Sequence, residues 1–260
     1  MATAKDIIVK PIKSADANAF VKAHHYSGKV ASVSRLHLGV FINDRLHGCM
    51  QFGDPIDKRK IIGLVSGTQW HEFLELNRMA FDDVLPRNSE SRALSIAWRL
   101  LKKHAPQVKW VVSFADGTQC GDGAIYRASG FVLTAVNKNK SMWILPSGEV
   151  IADIITRQVW NESTRKRIGF KLSESWKQYA ERVGAKRLEG FQLRYIYFLD
   201  PAYKDRLTVP ILPFSEIERR GASMYKGQKI TRERGETDNA PQSNAETEGA
   251  SPIRSLLSDN

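Results

Sequence analysis

The segment Arg35–Gly53, RLHLGVFINDRLHGCMQFG, contains two apolar runs separated by the pair Asn43-Asp44. In the first run, leucine, valine and isoleucine occupy every second position from Leu36 to Ile42. Such alternation is typical of a strand with one buried face, and an Asn-Asp pair favours a two-residue turn. The segment therefore predicts an antiparallel β-hairpin, on which the rest of the fold is built.

Strand and helix patterns alternate on both sides of this hairpin. A short strand (6–12) and a capped helix from Ser14 precede it, and a strand at 73–81 follows. Further elements are a helix that begins at Asn88 or Ser89, a strand that ends at Asp116, a short helix closed by Gly130, and a hairpin of VLTAV (132–136) with SMWIL (141–145). This order predicts an α/β fold with a mixed central sheet flanked by helices.

The chain divides into three parts by composition. Residues 1–155 are predicted to form the main domain. Residues 156–225 are predicted to be a small helix-plus-strand extension that packs on it, with TRKRIGFK (164–171) as a basic connector and an amphipathic helix from Ser173. After Tyr225 no aromatic residue remains, so 226–260 are predicted to be a disordered tail.

The charge is concentrated in the part of the chain that is predicted to fold. The whole chain has a formal net charge of +11, but residues 221–260 contain five Lys/Arg and six Asp/Glu. Residues 1–220 therefore carry 34 basic and 22 acidic side chains. A basic excess of this size indicates a polyanionic partner such as nucleic acid.

The sequence has no apolar run long enough for a bilayer and no secretory signal at MATAKDIIVKPIK. Its two cysteines, Cys49 and Cys120, do not form a disulfide framework. We therefore expect a soluble, cytosolic protein without membrane contact.

The order of strands and helices resembles the GNAT acetyltransferase superfamily. In that fold a loop and a helix N-terminus hold the pyrophosphate of coenzyme A, because free backbone N–H groups point at the anion. The matching segment is LNRMAFDDVLPRNSESRALS, in which the superfamily's Gln/Arg-x-x-Gly-x-Gly/Ala loop is absent. Asn88, Ser89 and Ser91 occupy the helix start instead and are the expected phosphate contacts.

Several stretches together resemble the Mom DNA-modification proteins of Mu-like phages. They are HHYSGKV, LHLGVF, MQFG, ELNRMAF, SESRALS, SFAD and GAIYRASGF, followed by EGFQLRYIYFLDPAYKDRLTVPILPF. The resemblance implies a GNAT-like enzyme in residues 1–155 that converts adenine in phage DNA to a carbamoylmethyl (acetamido) derivative at the exocyclic amine. This modification would protect the phage DNA from host restriction. Acetyl-coenzyme A and iron are the cofactors that the resemblance suggests.

The resemblance also assigns site residues. It implies catalytic roles for Tyr26, Asp116 and Tyr126, and a cofactor role for Arg78 together with the serines of the helix start. The family's product joins nitrogen to a methylene carbon, which ordinary acetyl transfer does not do. A redox-capable metal on His25, Tyr26 and Asp116 is one means of achieving this.

Each of these residues also has a purely structural interpretation. A His-His pair is usually solvated, and Asp116 before a glycine is able to initiate a turn. Tyr126 lies at core spacing, and Arg78 on a strand is able to form an ion pair. Ser91 is equally explained as part of a helix cap, and Cys120 as an unreactive loop cysteine.

If DNA is the substrate, the adenine must be flipped out of the duplex before its amine is accessible. The candidate phosphate contacts are Lys29, Arg35, Lys138, Lys140 and the run TRKR at 164–167. The expected partner is double-stranded DNA in the host cytoplasm, with a homodimer left open. Two other functions also remain open: a conventional N-acetyltransferase of a small amine or protein, and a non-enzymatic DNA-binding protein on the same scaffold.

Deletion of residues 226–260 tests the predicted tail. Because this segment has little apolar surface to bury, the truncated protein should melt within about 2 °C of the full chain. Thermal unfolding followed by circular dichroism measures the difference, and a larger loss would show that the tail contributes to the fold.

Overall fold

The hairpin predicted at Arg35–Gly53 forms the centre of the computed structural model, as β2 (Ser34–Ile42) and β3 (Arg45–Gly53). Asn43 and Asp44 have φ of 49° and 59°, the left-handed conformation that a tight hairpin turn requires. The model describes residues 3–118, 121–153, 162–225 and 228–229.

Ten further strands and seven helices complete the described elements. The strands are β1 (Ile8–Pro11), β4 (Phe73–Phe81), β5 (Trp110–Asp116), β6 (Val132–Lys138), β7 (Met142–Ile144), β8 (Val150–Ala152), β9 (Lys186–Arg187), β10 (Phe191–Phe198), β11 (Met224–Tyr225) and β12 (Gln228–Lys229). The helices are α1 (Ser14–His24), α2 (Lys58–Ile62), α3 (Ser89–His104), α4 (Ala124–Ala128), α5 (Glu162–Ile168), α6 (Trp176–Val183) and α7 (Ser215–Arg219). Short 3-10 turns occur at Ala4–Asp6 and Pro201–Arg206.

The central sheet has seven strands in the order β1-β2-β3-β4-β5-β10-β6. All neighbouring strands in it are antiparallel except β4 and β5, which are parallel. The predicted mixed α/β sheet flanked by helices is thereby confirmed. The parallel pairing covers only Phe73 to Glu75 on β4 and Trp110 to Val112 on β5. Beyond these residues the two strands are no longer paired with each other, and this gap is called the β4–β5 opening.

Helices cover both faces of the sheet. On one face, α3 buries the apolar side chains that its helical spacing predicts, including Leu94, Ala97, Trp98 and Leu101. On the other face, α1 buries Ala17, Phe20 and Val21 against β3 and β4. A third cluster, which includes Val65, Phe73, Trp110 and Tyr203, extends that second layer beside the opening. The opening therefore lies between two firmly packed apolar regions.

The predicted hairpin between residues 132–136 and 141–145 is wrong. β6 pairs with β10, whereas β7 belongs to a separate three-stranded sheet in the order β8-β7-β9. β10 lies between β5 and β6, so the predicted extension contributes an integral strand of the central sheet. Local alternation identified these segments as strands, but it carries no information on partners more than 50 residues away in the chain.

Most of the segment predicted to be a basic connector, 164–171, is helical and belongs to α5. Lys166 pairs with Glu162 one turn earlier at 2.8 Å, and Ile168 packs with Tyr179 and Leu145 beneath the small sheet. α6 begins at Trp176 rather than Ser173, since Ser175 and Gln178 form a capping box. α6 ends as predicted at Gly184, whose φ is 73°.

Two residues of the predicted tail are ordered. Gln228–Lys229 pairs with Met224–Tyr225 as a short hairpin, β11-β12. The remainder of 226–260, Cys120 and the predicted boundary at 155/156 lie outside the described residues. In the part of the chain that is described, no helix has the length and apolarity needed to cross a bilayer.

The Tyr195 hydroxyl is predicted to anchor the α4 region to β10. This hydroxyl is buried and donates a hydrogen bond of 2.5 Å to the carbonyl of Asp122. Tyr195→Phe removes this buried hydrogen bond and should lower the free energy of unfolding by about 1–3 kcal/mol. Urea denaturation provides the measurement.

Tyr197→Phe is the matched control, on the same strand and the same face. Tyr197 stacks on Trp98 at 4.6 Å, and in the described structure its hydroxyl has no hydrogen-bond partner. We expect its loss to be below about 1 kcal/mol. Equal losses in the two variants would contradict the assigned role of the Tyr195 hydrogen bond.

Candidate active site

One arginine on β4, Arg78, binds the loop that follows α1. Arg78 Nε donates to the carbonyl of Lys29 at 2.9 Å, and its Nη1 donates to the carbonyl of Asn77 at 2.6 Å. Both acceptors are backbone atoms, so this guanidinium fixes the position of the loop rather than forming a carboxylate ion pair. His25 and Tyr26, at the start of the loop, are thereby held near Arg78.

His25 is neutral and has a defined tautomer. The Ser27 backbone N–H donates to His25 Nδ1 at 3.2 Å, and Ser27 Oγ lies 2.8 Å from the same atom. Because Nδ1 accepts a hydrogen bond, the ring proton resides on Nε2. Burial, and secondarily the charge of Arg78, lowers the pKa of His25 to about 4. At neutral pH the residue is therefore an N–H donor without charge.

Tyr26 lies against His25 and remains accessible. The two ring centroids are 4.3 Å apart, and Tyr26 is 50% exposed. A half-exposed aromatic ring is able to stack on a planar ligand.

A line of polar side chains crosses three strands beneath α1. His37, Gln51 and Arg78 are cross-strand partners on β2, β3 and β4, and we call these three residues the polar strip. Gln51 is completely buried, and its Nε2 donates to Asn18 Oδ1 at 2.9 Å and lies 3.2 Å from His37 Nδ1. In the described structure its Oε1 has no partner. Burial of an unsatisfied amide oxygen costs free energy, which suggests a functional reason for its retention.

Glu75 adds a carboxyl group to the same region. It is the last β4 residue paired with β5 before the opening, and it lies two positions before Asn77, where β4 bulges. Burial raises the pKa of Glu75 to about 7, against smaller opposing effects of Asn77 and Arg78. Near neutral pH this carboxyl group therefore holds a proton part of the time, and in that state it both donates and accepts hydrogen bonds.

Asp116 is the last residue of β5, beyond the end of its pairing with β4. Its Oδ1 accepts a hydrogen bond of 3.0 Å from the Thr118 backbone N–H, which is the turn that its structural interpretation predicts. Strand alternation places Asp116 on the same face as Val112, the register partner of Glu75. Four residues of strand separate Asp116 from Val112, or about 13 Å. Asp116 therefore belongs to the face that carries the polar strip.

Tyr126 lies elsewhere. Its ring packs 5.1 Å from both Tyr195 and Phe131, within the apolar cluster that α3 covers. The structure thus does not bring Tyr126 together with His25 and Tyr26, and its contacts agree with the core interpretation.

The residues predicted to hold a phosphate are at the start of α3. Asn88 precedes the helix with φ of 68° and its side chain makes no capping hydrogen bond. The hydroxyl of the buried Ser89 donates to the carbonyl of Pro86 at 2.6 Å, and that of Ser91 donates to the carbonyl of Asn88 at 3.1 Å. Both hydroxyl protons are therefore used inside the protein. Donors for an anion at this position are backbone N–H groups of the first helical turn.

No support emerges for iron. Nowhere in the described ranges do three or more His, Cys, Asp or Glu side chains converge as metal ligands do. Of the predicted ligands, His25 uses Nδ1 for Ser27, and Asp116 uses Oδ1 for Thr118. The residues present do not fit the predicted site.

The polar strip and Glu75 were not predicted from the sequence. The available signal was weak, because His37 and Gln51 share the alternate hairpin positions with other polar residues, Arg35, Arg45 and His47. Their convergence with Arg78 depends on strand register, which the sequence does not specify.

Among solved structures, the chain is similar to N-acetyltransferases. The spermidine/spermine N-acetyltransferase SpeG from Vibrio cholerae aligns with a TM-score of 0.42 and 7% identity, over 79% of this chain and 99% of that chain. The ribosomal-protein-S18-alanine N-acetyltransferase from Escherichia coli gives 0.39 and 9%, over 75% and 94%. Likeness of this extent assigns neither a reaction nor a cofactor.

Sequence comparison is more specific. The model of the Mom protein family matches residues 6–216. The protein named methylcarbamoylase mom, from Escherichia phage Mu, is 33% identical over 208 residues, which are 80% of this chain and 81% of that protein. The family match therefore includes the loop after α1, the polar strip, the β4–β5 opening and β10. The chain belongs to the Mom protein family.

Proposed function

We propose that this protein is a transferase that modifies phage DNA, converting adenine to its carbamoylmethyl derivative at the exocyclic amine. The modification would protect the DNA from host restriction, and the reaction would take place in the host cytoplasm. Family membership and the name of the phage Mu relative support this proposal. The structural observation that carries it is the set of uncharged hydrogen-bonding groups beside the β4–β5 opening.

These groups suit a neutral, planar base. Adenine presents a ring nitrogen that accepts and an amine that donates, so a recognising site needs both kinds of group. His25 offers an N–H donor at Nε2, and protonated Glu75 offers both a donor and an acceptor. A strongly charged site would favour a charged substrate instead. A base reaches such a site only after it leaves the helical stack, so the substrate is duplex DNA with a flipped adenine.

Tyr26 and Asp116 are the proposed catalytic residues. Tyr26 presents its half-exposed ring beside His25, where it is able to stack on the base and place its hydroxyl near the edge. Asp116 provides a carboxylate on the same face across the opening, suited to accept a proton from the amine. Tyr126, whose ring packs against Tyr195 and Phe131 in the apolar cluster under α3, is not among the proposed catalytic residues.

Acetyl-coenzyme A is the proposed cofactor, with the start of α3 as its phosphate site. The backbone N–H groups of the first turn of α3 would donate to the phosphate. Asn88, with no capping hydrogen bond, is the side chain still available there. Ser89 and Ser91 contribute through their backbone, and Arg78 through the position of the loop. When bound, the cofactor would supply the two carbon atoms of the new group; attachment through the methylene carbon also requires a nitrogen donor for the amide and a two-electron oxidant.

A nucleoside mass profile tests the proposed function. DNA is isolated from cells that express the protein and from cells with the empty vector, digested, and analysed for carbamoylmethyl-adenine. We expect the modified nucleoside only with the protein. Acetylated small amines or proteins with unmodified DNA would identify a conventional acetyltransferase, and no product of either kind would identify a binding protein.

Tyr26→Phe and Asp116→Asn should each abolish modification with little change in stability. Tyr26→Phe preserves the ring, and asparagine retains the carbonyl oxygen that the Thr118 N–H requires. Each variant removes one group that takes part in proton transfer, so we expect at least a 100-fold loss of modified adenine. The mass profile gives the loss, and thermal melting verifies the fold.

Matched controls separate the site from general effects of these substitutions. Tyr197→Phe and Asp205→Asn make the same chemical changes away from the opening, and Asp205 is exposed. Both should retain full modification. Full activity of the Tyr26 and Asp116 variants would show that the active site lies elsewhere.

His25 should make the protein less stable as the pH falls from 7 to 4. Its folded pKa of about 4 lies below the ordinary value of 6.5. Between these values the unfolded chain binds a proton that the folded chain does not, so unfolding becomes easier at lower pH. His25→Gln removes this contribution and should flatten the dependence by about 1–3 kcal/mol over that range. Urea denaturation at a series of pH values gives the slope.

His24→Gln is the control, because His24 is exposed and stacks on Phe20 rather than facing Arg78. It should retain the native slope. If both variants behave alike, the neutral and buried state assigned to His25 is wrong.

A further inference from the structure

The basic residues proposed from the sequence as phosphate contacts are not equivalent in the structure. Arg35 forms an ion pair with Asp54, and Lys166 forms one with Glu162 at 2.8 Å. Arg167 forms a bidentate ion pair with Glu149. Arg165 is buried. Most of the cations in the run 164–167 are therefore neutralised or inaccessible, and the charge run itself is a poor guide to the docking surface.

Four cations are exposed on neighbouring segments: Lys138 and Lys140, which were predicted from the sequence, and Lys186 and Arg187, which were not. Lys138 and Lys140 lie at the end of β6 and just after it, and Lys186 and Arg187 form β9. None of the four has a carboxylate partner within the described part of the chain. We call these four residues the basic seam.

Backbone hydrogen bonds join the two halves of the seam into one ribbon. Lys186 and Arg187 pair with Ile144 and Trp143 of β7. Further along, the Leu188 N–H donates to the Met142 carbonyl at 3.0 Å and the Asn139 N–H donates to the Gly190 carbonyl at 2.7 Å.

Segments 138–144 and 186–191 thus run antiparallel, with Phe191 paired to Lys138 at one end and Lys186 paired to Ile144 at the other. The ribbon is about 20 Å long, and it links the small sheet to the central sheet.

The ribbon carries four positive charges and one negative charge, from Glu189. A length of about 20 Å corresponds to roughly six phosphates of one DNA strand. Exposed lysine and arginine side chains without carboxylate partners are free to neutralise phosphates and release counterions. The seam therefore has the dimensions and charge of a phosphate-contacting surface.

The small sheet also approaches the loop of the candidate active site. Lys29 of that loop accepts the Arg78 hydrogen bond through its carbonyl. The pKa of Glu149, in the β7–β8 turn, is lowered chiefly by its hydrogen bond from Arg167 and in part by the charge of Lys29. Lys29 is therefore near the turn that joins two strands of the small sheet. A duplex that lies on the seam would have the loop of His25 and Tyr26 beside it.

We propose that the basic seam is the surface on which the DNA backbone docks while an adenine enters the β4–β5 opening. This inference rests on the proposed function, which makes DNA the substrate. The contacts are to phosphates and are independent of base sequence, so they position the duplex without selecting the target.

The salt dependence of DNA binding tests the proposal directly. Three double variants are compared with the native chain in fluorescence anisotropy with a fixed duplex between 50 and 200 mM salt, a range over which phosphate contacts strongly affect affinity. Two are in the seam, Lys138→Gln with Lys140→Gln and Lys186→Gln with Arg187→Gln. The third, Lys102→Gln with Lys103→Gln, removes two exposed charges from the end of α3. All three have the same change in net charge.

Each seam variant should reduce the slope of log affinity against log salt by about 1 for every cation that contacts a phosphate. The α3 variant should leave the slope unchanged. Equal effects of all three variants, or no effect of the seam variants, would overturn the assignment. Stronger loss of binding to anionic vesicles than to DNA in the seam variants would instead identify a lipid surface and also overturn it.

The same variants distinguish failure of this inference from failure of the proposed function. Binding is measured with the purified protein, and modification by the nucleoside mass profile. Native protein that modifies DNA while the seam variants retain the native slope contradicts the seam alone. Native protein that binds DNA through the seam but produces no modified adenine contradicts the proposed chemistry alone. Melting temperatures verify that all three variants are folded.

Discussion

The short parallel contact between β4 and β5 is the constraint on which the site depends. Three residues of each strand pair, from Phe73 to Glu75 with Trp110 to Val112, and the strands then part. Apolar packing holds the paired end closed, since Phe73 stacks on Trp110 at 4.6 Å. Beyond Glu75 the carbonyl of Leu76 accepts a hydrogen bond from the side chain of Ser113 instead of from a β5 backbone amide. A firmly packed sheet thereby contains an opening without exposing its core.

The elements of this fold follow from local sequence more completely than their arrangement does. Alternation predicted β2 and β3, and the spacing of Leu94, Ala97 and Trp98 predicted the buried face of α3. The position of β10 between β5 and β6 was beyond such reasoning, because its partners lie 53 to 88 residues earlier in the chain. The same limit explains the wrong hairpin at 132–145. Adjacent strands are the default partners, and only packing of the whole sheet reveals the exception.

The candidate site shows the same limit at the level of side chains. The family resemblance identified His25, Tyr26, Arg78 and Asp116, which the structure places on one face of the sheet or in the loop above it. It did not reveal that Arg78 bonds two carbonyls, or that Ser89 is buried and turned inward. Gln51 and Glu75 carry no motif of their own. Their significance arises from burial and register, which are properties of the folded chain.

The cations of the basic seam and the uncharged hydrogen-bonding groups of the candidate active site lie in two different regions of the molecule. A phosphate backbone is attracted over long distances by fixed positive charge, whereas a base is recognised at contact by donors and acceptors without net charge. If one site bound both the phosphate backbone and the base, its buried cations would need carboxylate partners. Without such partners, they would attract a phosphate to the position where the base has to bind. In this chain the four cations of the basic seam lie on the ribbon between the two sheets, while the imidazoles of His25 and His37 have pKa values lowered by burial. Arg78, the cation within the neutral region, donates to backbone carbonyls. These hydrogen bonds occupy Nε and Nη1 of Arg78. The guanidinium therefore holds the loop in position and does not make the site a binding site for anions.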